Sequence, residues 1–407
     1  MASRGDKILC AFPLMLLGML SACSVSPDIE RIEVPAGAGS ASPNLDAGDD
    51  GTVVLSWLEP EDAGHVLKFS VLDAFDWGTP RVVARGEDWF VNWADFPSVV
   101  PVTDGFWASH WLVRRPAGGY AYDIALAVSN DAGRSWSEPF PPHRDGTDTE
   151  HGFVSLFPHQ SGAGLIWLDG RNMVTASGDE NPASGMTLRT AVLSADLSLS
   201  DELLVDELIC DCCQTDVALT GAGPVAVYRN RTRDEIRDIY VSHYRDQRWQ
   251  QGRPVADDGW EIPGCPVNGP AIDARGALVA IAWFTAADKL PRVRAGFSGD
   301  AGESYLAPVE VAGEEALGRV GVALLPDGDA AVSWLRKTES DHAELCVRRI
   351  TTDGETGPVH VVSGSDQIPA LSVPQMHRSG GKLVFAWTRS TDGVTGIASA
   401  LVAIDAL

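Results

Sequence analysis

Val53-Val54-Leu55-Ser56-Trp57 is the stretch on which the fold turns. It is short, apolar and closed by an aromatic, and it follows an Asp50-Gly51 turn, so it reads as a buried strand. The same pattern recurs as Phe106–Trp111, Leu165-Ile166-Trp167, Val225–Tyr228, Val279–Trp283, Ala331–Trp334 and Leu383–Trp387. The closing aromatics fall at 57, 111, 167, 228, 283, 334 and 387, which is 51 to 61 residues apart. A fixed period of that size belongs to a solenoid or a propeller. Each period has room for four strands. In the second, Ser98–Val102 leads through Asp104-Gly105 to Phe106–Trp111, then Ile124–Ser129, and Trp136-Ser137-Glu138-Pro139 closes the unit. The expectation is an all-β chain forming a single β-propeller of seven four-stranded blades. A six-bladed ring with an extra strand pair, or two packed sandwiches, are the alternatives. After Trp387 only one further strand fits, at 396–404. The segment Ile29–Pro35 is placed to supply the missing outer strand and so close the ring's exposed edges.

Composition agrees. The 407 residues are 44% hydrophobic and 21% charged, which excludes disorder over most of the chain. A net charge of −25 argues against nucleic acid as a partner. Arg4 and Lys7 precede an apolar run, Ile8–Leu20, that is too short to span a bilayer. Leu20-Ser21-Ala22-Cys23 then resembles a bacterial lipobox. That resemblance implies a signal peptide over 1–22, lipidation of Cys23 by diacylglycerol and a further acyl chain such as palmitate, and a short linker over 23–30 before a propeller over 31–407. Multiple acyl chains anchor stably where one would not. Ser24 after the cysteine leans towards the outer membrane, so the expected location is the cell envelope, facing the periplasm or the cell surface.

Ser129-Asn130-Asp131-Ala132-Gly133-Arg134-Ser135-Trp136 fits the Asp box, and Ser298-Gly299-Asp300-Ala301-Gly302-Glu303-Ser304-Tyr305 is a second copy with Tyr for Trp. The chain thereby resembles the sialidase superfamily of bacterial neuraminidase repeat proteins. The resemblance implies a turn between third and fourth strands on the face opposite the active site, which makes Asp131 structural. It also implies exo-glycosidase activity on an acidic glycan. Sialidases carry an Arg-Ile-Pro motif and three substrate-gripping arginines, whereas Arg31-Ile32-Glu33-Val34-Pro35 does not fit that motif.

In such propellers the loops entering each innermost strand share a face with the loops leaving the second strand, around the channel mouth. Counting back from each aromatic, the entering loops give Asp95, Glu150, His151, Cys210-Asp211-Cys212-Cys213, Cys265, Asn268 and Arg319. The leaving loops give Asp169, Arg171, Arg229, Arg231, Arg233, Arg237, Arg336, Lys337 and Arg389. Glu150 and Asp95 are candidate general acid and base, with Tyr228 as a candidate nucleophile by analogy with the sialidase tyrosine. Arg171, Arg229, Arg231 and Arg237, with His151 and Asp169, are expected to form an anion pocket. Salt bridging of these arginines to Asp234, Glu235 and Asp238 is the competing reading. No cofactor is expected. The expected partner is a glycan or another small anion, bound by an enzyme or by a non-catalytic binding or assembly module. Export favours a disulfide between Cys265 and Cys212 or Cys213. A thiolate metal or redox site of Cys210, Cys212, Cys213 and Cys265, selecting copper(I) or zinc, is the alternative.

Overall fold

A computed structural model describes residues 29–174, 184–200, 202–339, 342–364 and 366–407; Cys23 and the leader lie outside them. Seven antiparallel sheets form seven blades. Their innermost strands are Ala41–Ala47, Ser98–Pro101, His151–His159, Asp216–Thr220, Ala271–Arg275, Ala316–Leu324 and Gln375–Ser379. Each of these touches the next, and the seventh touches the first, so the ring is closed around a central channel. The second blade has three strands, with only a bridge between Leu126 and Phe140 where a fourth would lie.

The second strands sit between neighbouring blades and are apolar on both faces. Val53–Leu58 is buried throughout, and Trp57, Trp167, Trp283, Trp334 and Trp387 are among the most deeply buried side chains. A buried indole N–H needs an acceptor. Trp57 Nε1 donates to Glu59 at 2.7 Å and Trp167 Nε1 to Asp169 at 2.9 Å, each two residues on. Trp283 and Trp387 instead use Asp258, just after the fourth blade's last strand, and Asp366, between two outer strands of the sixth blade, so each acid comes from the preceding blade's side.

Side chains stitch each blade to the next. Asp216 accepts from Ile272 N at 2.9 Å and Asp273 from Leu324 N at 2.7 Å. The Ser129–Trp136 and Ser298–Tyr305 turns share one bonding scheme. In each, the aspartate takes the hydroxyl and backbone N–H of the serine four residues on, while the first serine takes the glycine N–H. Gly133 has φ +73° and a Cβ there would meet Phe69 at 2.7 Å, so conformation and packing both require glycine.

Closure comes from Ile29–Ile32, which pairs antiparallel with Val394–Ala403, Ile29 opposite Val402 and Ile32 opposite Ser399. Removing this strand uncovers a long edge and the apolar surface under Ile29 and Ile32. The expected loss is about 2 kcal/mol in denaturant unfolding, with soluble aggregates on gel filtration. An unchanged midpoint and a clean monomer would show that closure does not depend on it.

Candidate active site at the channel mouth

Each innermost strand begins on the same face, and several begin with a distortion. Ser42, Phe153, Val267 and Arg319 all have φ between 48° and 57°, a region non-glycine residues rarely enter. The ladders slip at these points in the first, third and sixth blades. Three of the distortions are pinned from the preceding blade. Phe153 N donates to Asp95 at 2.9 Å, Arg319 N to Asn268 at 2.9 Å, and Gly269 N to Gln214 at 3.1 Å. The connection between the first and second blades reaches over this mouth. Gln214 donates to Ala94 O at 2.7 Å, and the Arg319 guanidinium lies 5.0 Å above the Trp93 ring. Phe96, Gln214 and Arg319 line the mouth end of a channel cavity of about 420 Å³.

The chemistry-bearing group beside the mouth joins three side chains. Tyr122 is the first residue of the strand Tyr122–Ser129 and stacks on Phe90 with centroids 4.1 Å apart. Its hydroxyl lies 2.8 Å from Asp95 Oδ2 and 2.7 Å from Glu150 Oε1. One hydroxyl hydrogen cannot serve two carboxylates, so one acid must hold a proton and donate it to the tyrosine oxygen. The environment agrees. Burial pushes Asp95 up to about 7. Burial, reinforced by the Asp95 and Asp211 charges, pushes Glu150 up to about 8. Asp95 and Tyr122 are buried, whereas Glu150 keeps an accessible edge.

His151 lies one residue further but belongs to a different cluster. It is fully buried and stacks on His143, centroids 3.8 Å apart. Asp145 lies 3.2 Å from His151 Nε2 and Asp123 3.7 Å from Nδ1. Burial works against its charge, but Asp145, Asp169 and Asp123 together raise its pKa. Arg171 joins Asp169 and Glu202, each at 2.6 Å, and Asp145 at 3.3 Å.

The expected anion pocket is not assembled. Arg171 is spent on those carboxylates, and Asp169, besides holding it, caps Trp167. Arg229 is buried and donates to the carbonyls of Asn268, Arg237 and Phe284 at 2.9, 2.6 and 2.7 Å. Arg231 is paired with Glu235, and Arg237 with Glu235 and Asp211. The competing salt-bridge reading applies to Arg231 and Arg237, because acids two and four residues away are reached at no loop-closure cost. Tyr228 also has another role: it packs between the third and fourth blades and donates to Asp206 at 2.6 Å. The tyrosine that meets the acids is Tyr122. Sequence reasoning missed it because the count followed entering and leaving loops, although third strands start on the same face.

Cys212 is bonded to Cys265, which joins the entering loops of the fourth and fifth blades. Cys210 and Cys213 are buried free thiols, their sulfurs 2.7 Å apart. Cys346 is a buried thiol in the sixth blade, pushed up to about 12 by burial.

The raised carboxyls carry a stability consequence. Asp46 reaches about 8 and Asp216 about 6, both through burial, besides Asp95 and Glu150. Between about pH 4 and pH 8 these groups bind more protons in the folded chain than in the unfolded one, which makes stability fall as pH rises. The raised His151 acts in the same sense. His110 and His377, held down by burial at about 3 and about 4, oppose this below about pH 6.5 and offset part of it. The depressed Asp131 and Asp300 matter only at the acid end, as pH falls below the ordinary carboxylate range. Asp46 and Asp216 face the channel, where water reaches them, so their share is discounted. Unfolding should cost about 2 kcal/mol more at pH 5 than at pH 8. Equal or reversed stabilities in denaturant melts at the two pH values would contradict the raised set.

No known family's sequence pattern matches this chain, and no curated protein matches it in sequence. In three dimensions it is similar to a protein of unknown function from Dyadobacter fermentans, at 15% identity over 92% of this chain and 98% of that one, with a TM-score of 0.52. It is similar to the BP39L lectin of Burkholderia pseudomallei, at 10% identity over 93% and 97%, with a TM-score of 0.57. The polysaccharide lyase Uly1 is a third, at 9% identity over 90% of each chain, with a TM-score of 0.52. At these identities the likeness is one of fold.

Proposed function

We propose that this protein acts on a carbohydrate at the channel mouth, with Glu150 as proton donor and Tyr122 and Asp95 setting its protonation. The observation that carries the reading is the single hydroxyl shared by two carboxyl groups, which holds a proton on one of them near neutral pH. A lectin and a polysaccharide lyase on similar folds make a carbohydrate the natural ligand class. Because Arg171, Arg229, Arg231 and Arg237 are engaged with the protein's own groups, they do not restrict the ligand to an acidic glycan. Burial of Asp95 and Tyr122 favours a second reading, a non-catalytic binding or assembly propeller using the same mouth. We further propose that Cys23 is lipidated and holds the protein in the envelope, on the residues that precede it.

The test pairs a glycan-binding screen with mass-spectrometric product analysis, including sialosides and uronate polymers. Turnover supports the enzyme, binding without turnover supports the module, and neither sinks both. Fatty-acid labelling lost in Cys23→Ser would support the anchor; label retained there would exclude it.

A further inference from the structure

Three sulfurs of the fourth blade's entering loop lie together. Cys210 Sγ is 3.9 Å from Cys212 Sγ and 2.7 Å from Cys213 Sγ, and the three sit within 4.8 Å of one another. Cys210 and Cys213 are buried. Three guanidinium charges act on them. Arg237 Nη1 approaches Cys210 Sγ at 3.5 Å, and its charge is balanced by Asp211 and Glu235. The Arg229 charge acts on both free thiols, opposing the strong upward push of burial on Cys213, and also on the Asp258 carboxylate, while its guanidinium donates to three carbonyls and lies over the Trp260 ring. Arg319 acts on Cys213, lies over Trp93, and has Nε and Nη1 without a partner. Positive charge is thus held beside buried sulfur, and among the described residues Arg319 makes no salt bridge, so negative charge on the sulfurs is favoured.

We propose that Cys210, Cys212 and Cys213 form a thiolate site for copper(I), which the Cys212–Cys265 disulfide closes in the oxidised protein. Three thiolates and one monovalent ion carry a net negative charge, which the neighbouring Arg229 and Arg319 charges favour. Zinc would seek a fourth ligand, whereas Asp211 is already held by Arg237 and Cys265, freed by reduction, is exposed and stands outside the three-sulfur cluster. An all-sulfur set selects a soft ion. A disulfide between Cys210 and Cys213 would instead remove two of the three thiolates.

The opening step balances. A dithiol reductant gives two electrons and two protons to the Cys212–Cys265 bond and becomes a disulfide, leaving two thiols. Copper(I) then binds as the three site thiols release their protons. This inference is independent of the carbohydrate reading, since it uses neither Glu150 nor Tyr122.

The test titrates the full chain with the copper(I)–acetonitrile complex without oxygen, against a colorimetric copper(I) chelator. Reduced wild type should bind one equivalent about 100-fold more tightly than oxidised wild type. Cys265→Ser, which frees Cys212, should bind as tightly without any reductant, and Cys213→Ser should lose the site. Cys346→Ser should match wild type. Copper X-ray absorption on reduced wild type should show sulfur ligands alone, a result that needs no variant to fold. Reduced wild type no tighter than Cys210→Ser/Cys213→Ser, a nitrogen or oxygen shell, or preferential binding of zinc would each overturn the proposal. So would a Cys210–Cys213 disulfide that survives reduction of Cys212–Cys265.

Discussion

Arg229→Met is expected to lower the free energy of unfolding by about 3–5 kcal/mol, an unusually large loss for a single side chain. The guanidinium serves three backbone carbonyls. Arg237 O lies in the fourth blade, Phe284 O at the end of the fifth blade's second strand, and Asn268 O in the fifth blade's entering loop. Methionine has similar length and fills much of the space, so the change isolates the lost donors. Each stranded carbonyl costs about 1–3 kcal/mol when water cannot replace the bond. Lysine restores a charge but presents a compact head in place of a planar fork, and should recover less than half of the loss. Guanidinium-chloride melts with an unchanged m-value give the measurement. A loss below about 1 kcal/mol would show that water reaches these carbonyls and that the blade junction is looser than its geometry.

What the sequence discloses follows from how far each signal reaches. The fold is written in local runs: Val53–Trp57 and its six later copies are strands wherever they occur, and their spacing alone orders the ring. Closure by Ile29–Ile32 was also legible, since one strand was missing at the far end. The role of Arg229 was not, because its acceptors are backbone atoms distant in sequence that no residue type announces. Tyr228 looked exceptional as the one tyrosine among marker tryptophans, yet its hydroxyl finds Asp206 much as the indoles find their acids. Tyr122 carries no such mark. Its meeting with Asp95 and Glu150 depends on the third strand of one blade facing the entering loop of the next. Asp95 was found by counting, but that count could not show that it also bonds Phe153 N, a structural duty combined with a chemical one.

If the mouth performs acid–base chemistry, Glu150→Gln should slow turnover about 10²–10⁴-fold while leaving carbohydrate binding close to wild type. Glutamine keeps the shape and can still accept from Tyr122, but it has no proton to deliver to a leaving oxygen. The pH profile makes the prediction specific. A proton donor raised to about 8 is loaded at neutral pH, so the rate should fall on the alkaline side near that value. Asp95 shares the hydroxyl, so this limb belongs to the pair and not to Glu150 alone. Tyr122→Phe should then move the limb to higher pH, because the tyrosine hydroxyl stabilises the Glu150 carboxylate and its removal favours the protonated acid. A purely structural tyrosine would lower the amount of folded protein without moving the limb. Wild-type rates in Glu150→Gln, or an alkaline limb unmoved in a folded Tyr122→Phe protein, would remove the proton-donor role. The shared hydroxyl would then be one more stitch between the second and third blades.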